Sequence, residues 1–444
     1  MQLSAQTVPE QRTSRTERAR RTWRPGAIGG LSLGLAGTLI VACSETPRGG
    51  AEPSAAAAGG AVPTSRGSAA PPDAGGWHLG TSWRIGMLAP FTGAAQELGA
   101  NIRLGVEAYF ATANSAGGVA GHPLELVARN DANEPSKTGP ALHGLIDDEH
   151  VFALLGNVGT STAAVSLPII TATRTPFFGA LTGARLLRKT PPDRYVVNFR
   201  ASYDEEMEEI IRGLTEELHL RPSQIGFFTQ DDSYGDAGWN GAVAALARRG
   251  AANPALLVHG RYARNTLDVE EAVAVLTEPG LDIRAVVMVA FSKPCARFVR
   301  LAHAHGLTGA VFAHISIGSD ELARELGADG EGLIATEVVP FPEGDSPAAR
   351  AFQAAVPAAQ RNHSSLEGFV VAHAFVAGLR LAGPTPSRES FLSALESGTA
   401  IDLGLGIQHA LSPTDHQLSH HVWLTILRGG KLAPLAAWPR GVKS

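Results

Sequence analysis

Several kinds of protein are excluded by what this 444-residue sequence has little of. Only two cysteines occur, Cys43 and Cys295, in dissimilar surroundings, which excludes a fold held together by disulfides. Charged residues make up 18% and the formal net charge is −5, so no basic excess indicates nucleic-acid binding. The apolar run at 27–42 is too short and too rich in glycine to span a bilayer comfortably, which needs roughly 20 apolar residues.

Motifs of the common enzyme classes are also missing. The sequence has no G-x-S-x-G elbow, no H-E-x-x-H pair and no P-loop. His303 and His305 lie two residues apart on a predicted helix and face different ways, so they do not form a metal pair. Cys295 has no paired base and is interpreted as a small buried residue. We therefore expect no enzymatic activity, no cofactor and no metal.

The first 43 residues predict an export signal. Six arginines lie between positions 12 and 24, the small and apolar run 27–42 follows, and the segment ends in Leu-Ile-Val-Ala-Cys at Cys43. This ending resembles the bacterial lipobox, whose cysteine receives a lipid. The resemblance implies an exported protein anchored through Cys43 to a membrane and facing the periplasm or the cell exterior. A plain signal peptide is the alternative, and the sequence leaves open the export route and which membrane holds the anchor.

Residues 44–82 predict a tether. Within it, the stretch 49–76 is nearly all glycine, alanine, proline and serine, so the segment buries too little apolar area to offset the entropy of ordering it. A flexible coil of about 40 residues spans roughly 35 Å on average. The tether would hold a globular body away from the membrane.

From Trp83 onward, short apolar strands alternate with segments of helical periodicity. Strands separated by helix-length connections predict an α/β fold with parallel sheets covered on both faces. About 360 residues of this pattern should divide into two lobes. In such sheets a ligand binds beyond the carboxyl ends of the strands, where loops lead into helices. The clearest strand predictions are 84–88, 124–128, 151–155, 176–178, 225–228 and 285–289.

Six short motifs occur in the order and spacing of one known family. The chain resembles the branched-chain amino acid binding proteins, which are type I periplasmic binding proteins that serve ABC importers. The resemblance extends from about residue 83 to 440. The motifs are the opening 84–93 (RIGMLAPFTG), the turn 114–121 (NSAGGVAG), the loop 130–135 (NDANEP), the loop 156–161 (GNVGTS), Phe199-Arg200 with Asp204, and 232–235 (DSYG).

The resemblance implies two doubly wound parallel-sheet lobes, joined by a hinge of three crossovers with a ligand cleft between them. The crossovers are expected near residues 201, 337 and 415. Lobe one would comprise 83–200 plus 337–414, and lobe two would comprise 201–336 plus 415–440. A monomer that binds a small molecule and docks on an ABC permease is the implied assembly.

Residues Gly159, Thr160 and Ser161 follow a predicted strand and open a helix. Hydroxyl and backbone N–H groups would converge there, and the helix dipole would favour an anion such as a ligand carboxylate. A simple N-cap pair is the alternative for Thr160 and Ser161. The resemblance adds further ligand-binding residues, namely Leu98 and Phe291 as walls, Ala180 and Thr182 as holders of the carboxylate and amino end, and Tyr234 as a lid from lobe two.

One departure from the family bears on the ligand. Amino acid binders of this family present a carboxylate from lobe two to the ligand ammonium, but the corresponding stretch 313–318 (AHISIG) contains none before Asp320. Family geometry puts Asp204 and Asp232 toward the rim or the hinge. Because burying an unpaired ammonium is costly, we expect a carboxylate or amide without a free α-ammonium to bind better than leucine, isoleucine or valine.

Two functions from different classes therefore remain. The first is a solute-binding lipoprotein of an ABC importer that captures an amino acid or a related small carboxylate or amide by hinge closure. The second is a ligand-sensing or partner-regulating lipoprotein on the same fold without transport. The fold alone does not decide between them.

Overall fold

A computed structural model describes residues 82–251, 253–408 and 410–439. The predicted export signal, its Cys43 and the tether up to residue 81 lie outside the described residues and stay predictions. Within the described ranges no helix combines the length and apolar character needed to cross a bilayer. The same ranges contain no group of three or more His, Cys, Asp or Glu side chains placed to hold a metal ion.

The first five strands form a parallel sheet in the order β2-β1-β3-β4-β5, and the other seven form a second sheet in the order β12-β11-β10-β9-β8-β6-β7. The alternating pattern thus predicted the two α/β sheets correctly. The strands are β1 (Trp83–Ala89), β2 (Leu124–Asn130), β3 (Ala153–Leu155), β4 (Phe177–Phe178), β5 (Val196–Val197), β6 (Ile225–Asp231), β7 (Val258–Ala263), β8 (Ala285–Val289), β9 (Val311–His314), β10 (Ile334–Glu337), β11 (Trp423–Arg428) and β12 (Lys431–Pro434).

Eleven α-helices connect or cover these strands in the described chain. Helices on both faces explain why every residue of β3 and of β8 is buried, as expected for central strands of a doubly wound sheet. The helices are α1 (Gln96–Ser115), α2 (Pro135–His143), α3 (Thr160–Thr173), α4 (Tyr203–Arg212), α5 (Ser233–Arg248), α6 (Glu270–Leu276), α7 (Ser292–Ala304), α8 (Ser319–Leu326), α9 (Pro347–Ala355), α10 (His363–Leu381) and α11 (Arg388–Leu395).

The chain passes between the two sheets more than once. After β10 in the second sheet it returns to the first, where α10 packs along α1. The two helices approach closely at Gly105, where a Cβ would lie only 1.9 Å from the carbonyl oxygen of Ser365. The chain then re-enters the second sheet as β11. The lobe limits near residues 201, 337 and 415 remain a prediction.

The second sheet differs at one edge from the parallel arrangement that the sequence pattern predicts. Strand β11 pairs antiparallel with β10, and β12 pairs antiparallel with β11. Gly429 and Gly430, both with positive φ, lie between β11 and β12 and make the tight reversal that a hairpin needs. No helical segment separates these two strands, so they cannot be parallel neighbours.

Candidate functional site

Two helix N-termini face each other across the gap between the lobes. In lobe one, the chain leaves β3 and enters α3 at Thr160. In lobe two, it leaves β6 and enters α5 at Ser233. Both turns lie at the carboxyl ends of parallel strands, which is where α/β sheets bind ligands.

The lobe-one wall is built from a turn that requires glycine. Gly159 precedes α3 with φ of 112°, and a Cβ there would lie 2.6 Å from Asn133 Oδ1 and 2.7 Å from Thr162 Oγ1. No side chain caps the start of α3. The first N–H groups of a helix have no intrahelical acceptor, so this wall offers hydrogen-bond donors without a formal charge.

A buried pair of hydroxyls stabilises the lobe-one wall from behind. Thr160 Oγ1 lies 2.7 Å from Thr182 Oγ1, and both side chains are almost fully buried. The loop 180–182 follows β4 and runs beside the loop after β3, since the Leu181 N–H donates to the Asn157 carbonyl at 2.7 Å. Ala180 and Thr182 therefore support the wall, while Thr160 belongs to the lining of the cavity.

The lobe-two wall is aromatic and carries a carboxylate. The Tyr234 ring lies 5.5 Å from the Phe291 ring and 5.7 Å from the Tyr203 ring, measured between centroids. Burial raises the pKa of Tyr234 well above its ordinary value, and its hydroxyl has no hydrogen-bond partner among the described residues. Asp232 is the N-cap of α5, and its side chain accepts from the Tyr234 and Gly235 N–H groups.

The two walls lie close together, and the free space between them is only about 10 Å³, roughly the room that one water molecule needs. A ligand would therefore enter only when the lobes move apart. The apolar surface and the hydrogen-bonding groups come from both lobes. The lining residues are Leu98, Asn133, Val158, Gly159, Thr160, Ser161, Leu181, Tyr203, Gln230, Asp232, Tyr234, Phe291 and Ile317.

The lobes contact each other directly at the mouth of this cavity. Ser161 Oγ donates to Asp232 Oδ2 at 2.8 Å and lies 2.9 Å from Ser233 Oγ. Farther out, Arg324 of α8 donates to both carboxylate oxygens of Glu97 at 2.6 Å. These bonds join α3 to α5 and α1 to α8, so the structure shows the lobes closed on each other.

A buried charge network lies where the lobes join. Arg200 Nε is 3.3 Å from Glu367 Oε1 of α10, and Arg200 Nη2 donates to the Ser316 carbonyl at 3.0 Å. Burial alone would lower the pKa of Arg200, but the carboxylates of Glu367 and Glu206 raise it. Burial raises the pKa of Glu367 to about 7 despite the nearby guanidinium. Arg200 therefore links both lobes at the base of the cleft.

A second buried ion pair crosses between the lobes nearby. The Nδ1 and backbone N of His363, at the start of α10, both lie 2.8 Å from Asp320 Oδ2 of α8. Burial opposes protonation of His363, but Asp320 and Glu337 outweigh it and raise the pKa of His363 to about 9. Burial also raises the pKa of Glu337 to about 7. The imidazolium of His363 thus ties α10 to lobe two.

Six of the eight predicted ligand-binding residues line the cavity. They are Leu98, Gly159, Thr160, Ser161, Tyr234 and Phe291. The two others, Ala180 and Thr182, are buried behind the wall. The sequence reasoning did not find Asn133, Val158, Leu181, Tyr203, Gln230 and Ile317. Asn133 lies in the family-like loop 130–135, and its left-handed φ of 56° is a conformation that asparagine tolerates.

Asp232 borders the cavity where the two lobes meet. Family geometry put this carboxylate toward the rim or hinge, and the structure places it in the cavity lining at the contact between the lobes. The reason is its N-cap bond to α5, which turns the side chain toward the start of α3. Asp204, by contrast, lies outside the cavity and pairs with Arg185 at 2.6 Å. Lobe two therefore supplies a carboxylate to the cleft although 313–318 contains none.

Two further residues have structural roles. The His314 ring is fully buried, lies 2.9 Å by Nε2 from the Ala290 carbonyl oxygen, and has its pKa lowered to about 4 by burial. Cys295 is buried as expected, and burial raises the pKa of its thiol well above the ordinary value. A thiol held in the neutral form is a poor nucleophile, so neither residue indicates catalysis.

Comparisons with known proteins agree with this architecture. A sequence model of the family described as "Periplasmic binding protein" matches residues 82–431. A solved structure from Rhodopirellula baltica, of "a possible leucine/isoleucine/valine-binding protein", is 38% identical, with a TM-score of 0.75. The match covers 80% of this chain and 96% of that one.

Two further relatives are more distant. The Leu/Ile/Val-binding protein homolog 8 of Brucella abortus is 24% identical over 235 residues, which are 50% of this chain and 55% of the relative, so the match spans about half its length. A solute-binding protein of an R. palustris ABC transporter, solved in complex with benzoate, is 19% identical with a TM-score of 0.71. That match covers 81% of this chain and 97% of the other, and it shows likeness of fold alone.

Proposed function

This chain belongs to the type I periplasmic binding protein family, and from that premise we propose that it is the extracytoplasmic solute-binding component of an ABC importer. It captures an amino acid or a related small carboxylate or amide between its lobes. Closure of the hinge around the ligand is the signal that a permease reads. Binding involves no chemical change of the ligand, and we propose no enzymatic activity.

One observation carries this proposal. The cavity in the cleft is lined by residues of both lobes, and its lobe-one wall is the uncapped start of α3. Because the ligand would touch residues of both lobes, it would bind the closed form better than an open one. A ligand shifts a conformational equilibrium only through such a difference in affinity.

The proposed ligand chemistry follows from the two walls. Thr160, Ser161 and the first N–H groups of α3 suit a carboxylate or an amide oxygen. Tyr234, Phe291 and Leu98 suit an aliphatic or aromatic body of the ligand. Thr182 contributes by orienting the Thr160 hydroxyl from behind.

A thermal-shift screen of residues 83–440 tests this function. The probes are amino acids, amides, short peptides, aromatic acids and polyols, each as a separate class. A ligand present at 100 times its dissociation constant should stabilise the protein by about 2.7 kcal/mol. If no class raises the melting temperature, the proposed solute-binding function is wrong.

We further propose that Cys43 anchors the mature protein through a lipid. The support is the Leu-Ile-Val-Ala-Cys ending of the apolar run, since the structure does not describe this segment. Cys43→Ala should move the protein from the membrane fraction to the soluble fraction, whereas Cys295→Ala serves as the matched control. Normal processing and membrane retention of the Cys43 variant would contradict the proposal.

Transport itself needs a test in cells. Deletion of the gene should reduce uptake of whichever radiolabelled ligand the screen identifies, and re-expression of the wild-type chain should restore it. Tight binding with unchanged uptake would instead favour a sensor that uses the same fold.

A further inference from the structure

A second cavity lies beside the segments that are expected to cross between the lobes near residues 201 and 415. Its volume is about 120 Å³, well above the roughly 10–15 Å³ that one water molecule needs. The cavity is lined by 187–190, Pro192, Asn198 and 414–417, none of which lines the cleft. The two segments are joined directly, since the Asn198 N–H donates to the His416 carbonyl at 2.7 Å.

This hinge cavity is lined by a guanidinium that no carboxylate pairs with directly. Arg188 Nε donates to Gln417 Oε1 at 2.7 Å, and Nη2 donates to the Arg200 carbonyl at 2.9 Å. Its Nη1 donates to the Thr182 and Ala184 carbonyls at 3.0 and 3.3 Å. All four acceptors are neutral, and Arg188 forms no ion pair among the described residues. A guanidinium has five N–H groups, so one N–H of Nη2 remains available.

The positive charge of Arg188 is poorly compensated. Burial and the neighbouring Arg200 guanidinium lower the pKa of Arg188 to about 10, because the carboxylates of Glu205 and Glu206 do not outweigh them. Both of these carboxylates hydrogen-bond to other residues. A cation held out of water beside a second cation is stabilised by any anion that binds next to it.

The other two basic residues of the lining already have partners. Lys189 Nζ lies 2.9 Å from Asp193 Oδ2. The His416 ring has Nδ1 2.7 Å from the Val196 carbonyl oxygen and Nε2 2.9 Å from Glu396 Oε1. Arg188 is therefore the cation of this lining that an anion would neutralise.

Asp415 is the one acidic residue of the lining. Its Oδ1 accepts from the Gln417 N–H at 3.0 Å, and its Oδ2 lies 3.9 Å from His420 Nε2. Like charges repel, so this carboxylate opposes an anion in the hinge cavity. Removal of its charge should therefore strengthen the binding of an anion.

A buried acceptor sets a second requirement for a ligand. The Asn198 side chain is only 2% exposed, and its Nδ2 donates to the Leu187 carbonyl at 2.8 Å. Its Oδ1 has no hydrogen-bond partner in the described part of the chain. A buried oxygen without a donor is costly, and a bound molecule with an O–H group would remove that cost.

We propose that the hinge cavity is a second binding site, separate from the cleft, for a small oxyanion that carries a proton on one oxygen, of which hydrogen phosphate is the simplest. An unprotonated oxygen would accept from the remaining N–H of Arg188 in a charge-assisted hydrogen bond. The P–OH group would donate to Asn198 Oδ1. Sulfate has the same shape but no proton at neutral pH, so it would satisfy Arg188 alone. The site does not depend on which solute the cleft binds.

Isothermal titration of the purified protein with inorganic phosphate and with sulfate, at equal ionic strength, tests this site. The wild-type protein should bind phosphate roughly tenfold more tightly than sulfate, because only phosphate satisfies the buried oxygen of Asn198. Arg188→Gln should weaken phosphate binding by about tenfold or more. Arg185→Gln is the matched control and should change nothing, because Arg185 is exposed and pairs with Asp204 outside the hinge cavity.

Two further variants keep the test decisive if Arg188→Gln does not fold. Asp415→Asn removes the opposing charge and keeps an oxygen that can accept from the Gln417 N–H, so it should strengthen phosphate binding by about threefold. Thr190→Glu adds a negative charge at an exposed position of the lining and should weaken binding by about the same factor. Circular dichroism checks that each variant folds.

Several results would overturn the inference. They are the absence of saturable phosphate binding, equal affinity for sulfate, unchanged affinity in a folded Arg188→Gln variant, and weaker binding in Asp415→Asn. Methyl phosphate distinguishes two sources of the group: if it binds as tightly as inorganic phosphate the site takes phosphate esters, and if it is rejected the site takes the free anion. None of these results bears on the solute-binding function of the cleft, which the thermal-shift screen tests separately.

Discussion

The two walls of the cleft use the same structural element in opposite ways. Both are helix N-termini that follow a buried parallel strand, α3 after β3 and α5 after β6. The start of α3 has glycine as its N-cap and no capping side chain, so its donors face the cleft. The start of α5 is capped by Asp232, whose second carboxylate oxygen then faces the cleft. Lobe one thus presents donors, and lobe two presents a charge and aromatic rings.

The difference shows how one fold can acquire two kinds of wall without a change of topology. A single residue at the N-cap position decides whether a helix start offers donors or an anion.

The largest expected effect on stability comes from removing the buried charge of Arg200, which links the two lobes at the base of the cleft. Arg200→Met removes the guanidinium that lies between Glu367 of lobe one and Ser316 of lobe two. An uncompensated buried carboxylate should lower the free energy of unfolding by about 3–5 kcal/mol. Chemical denaturation measures this, and the double variant Arg200→Met/Glu367→Gln should recover part of the loss.

Arg185→Met is the control for that experiment. Arg185 is exposed and pairs with Asp204, so its removal should cost less than about 1 kcal/mol. An equally small effect for Arg200→Met would show that the base of the cleft does not hold the lobes together.

The next effect is a pH dependence of the contact between α10 and α8. Because the pKa of His363 is raised to about 9 in the folded protein, its contribution is complete below its unfolded pKa of about 6.5 and is lost as the pH rises through 9. The free energy of unfolding should therefore fall by about 2 kcal/mol between pH 7 and pH 9 through this residue. Denaturation at several pH values measures the slope.

His363→Gln should remove that part of the slope. His143→Gln is the control, because His143 is exposed and pairs only with Asp147 of its own lobe. An unchanged slope in His363→Gln would mean that the ion pair with Asp320 does not form in solution.

Smaller effects on stability are expected when one hydroxyl is removed from each wall. Thr160→Val should cost about 1 kcal/mol of stability, because the Thr182 hydroxyl loses its partner at 2.7 Å. Tyr234→Phe should cost nothing or stabilise slightly, since the Tyr234 hydroxyl is buried without a hydrogen-bond partner in the described structure. Thermal denaturation of both variants measures these two changes in stability.

The double variant Thr160→Val/Thr182→Val extends this comparison. Its loss of stability should be smaller than the sum of the two single losses, because no unpaired hydroxyl remains within the pair. In ligand binding it should still cost about 1–3 kcal/mol through the Thr160 position. Unchanged affinity for a ligand found in the screen would remove Thr160 from the site.

The smallest effect is expected at the rim. Arg324→Gln breaks a pair with Glu97 that joins the lobes, but the Arg324 side chain is 60% exposed. Such pairs contribute about 0.2–1 kcal/mol and weaken as salt screens them. Denaturation at low and high ionic strength should show a difference between wild type and variant only at low salt. A large effect at high salt would contradict this estimate.

The fold was predictable from the sequence to a large extent. Apolar runs such as 285–289 bounded by turns identify buried strands, and their alternation with helices predicts the parallel part of both sheets. The hairpin β11–β12 was not predicted, although Gly429 and Gly430 signal a turn there. The direction in which an edge strand pairs depends on which strand of the sheet it lies beside. A local sequence pattern does not specify that neighbour.

The sequence by itself determined which loops meet at the cleft, because residues that follow parallel strands must gather at one edge of each sheet. Only the tertiary structure decided which way the side chains in those loops face. Thr182 turned into the wall to bond Thr160, and Asp232 turned into the cavity because it caps α5. Thr182 is oriented by Thr160, 22 residues away in the sequence, and Asp232 by the neighbouring Tyr234 and Gly235 N–H groups together with Ser161, 71 residues away. A ligand would meet the charge that results.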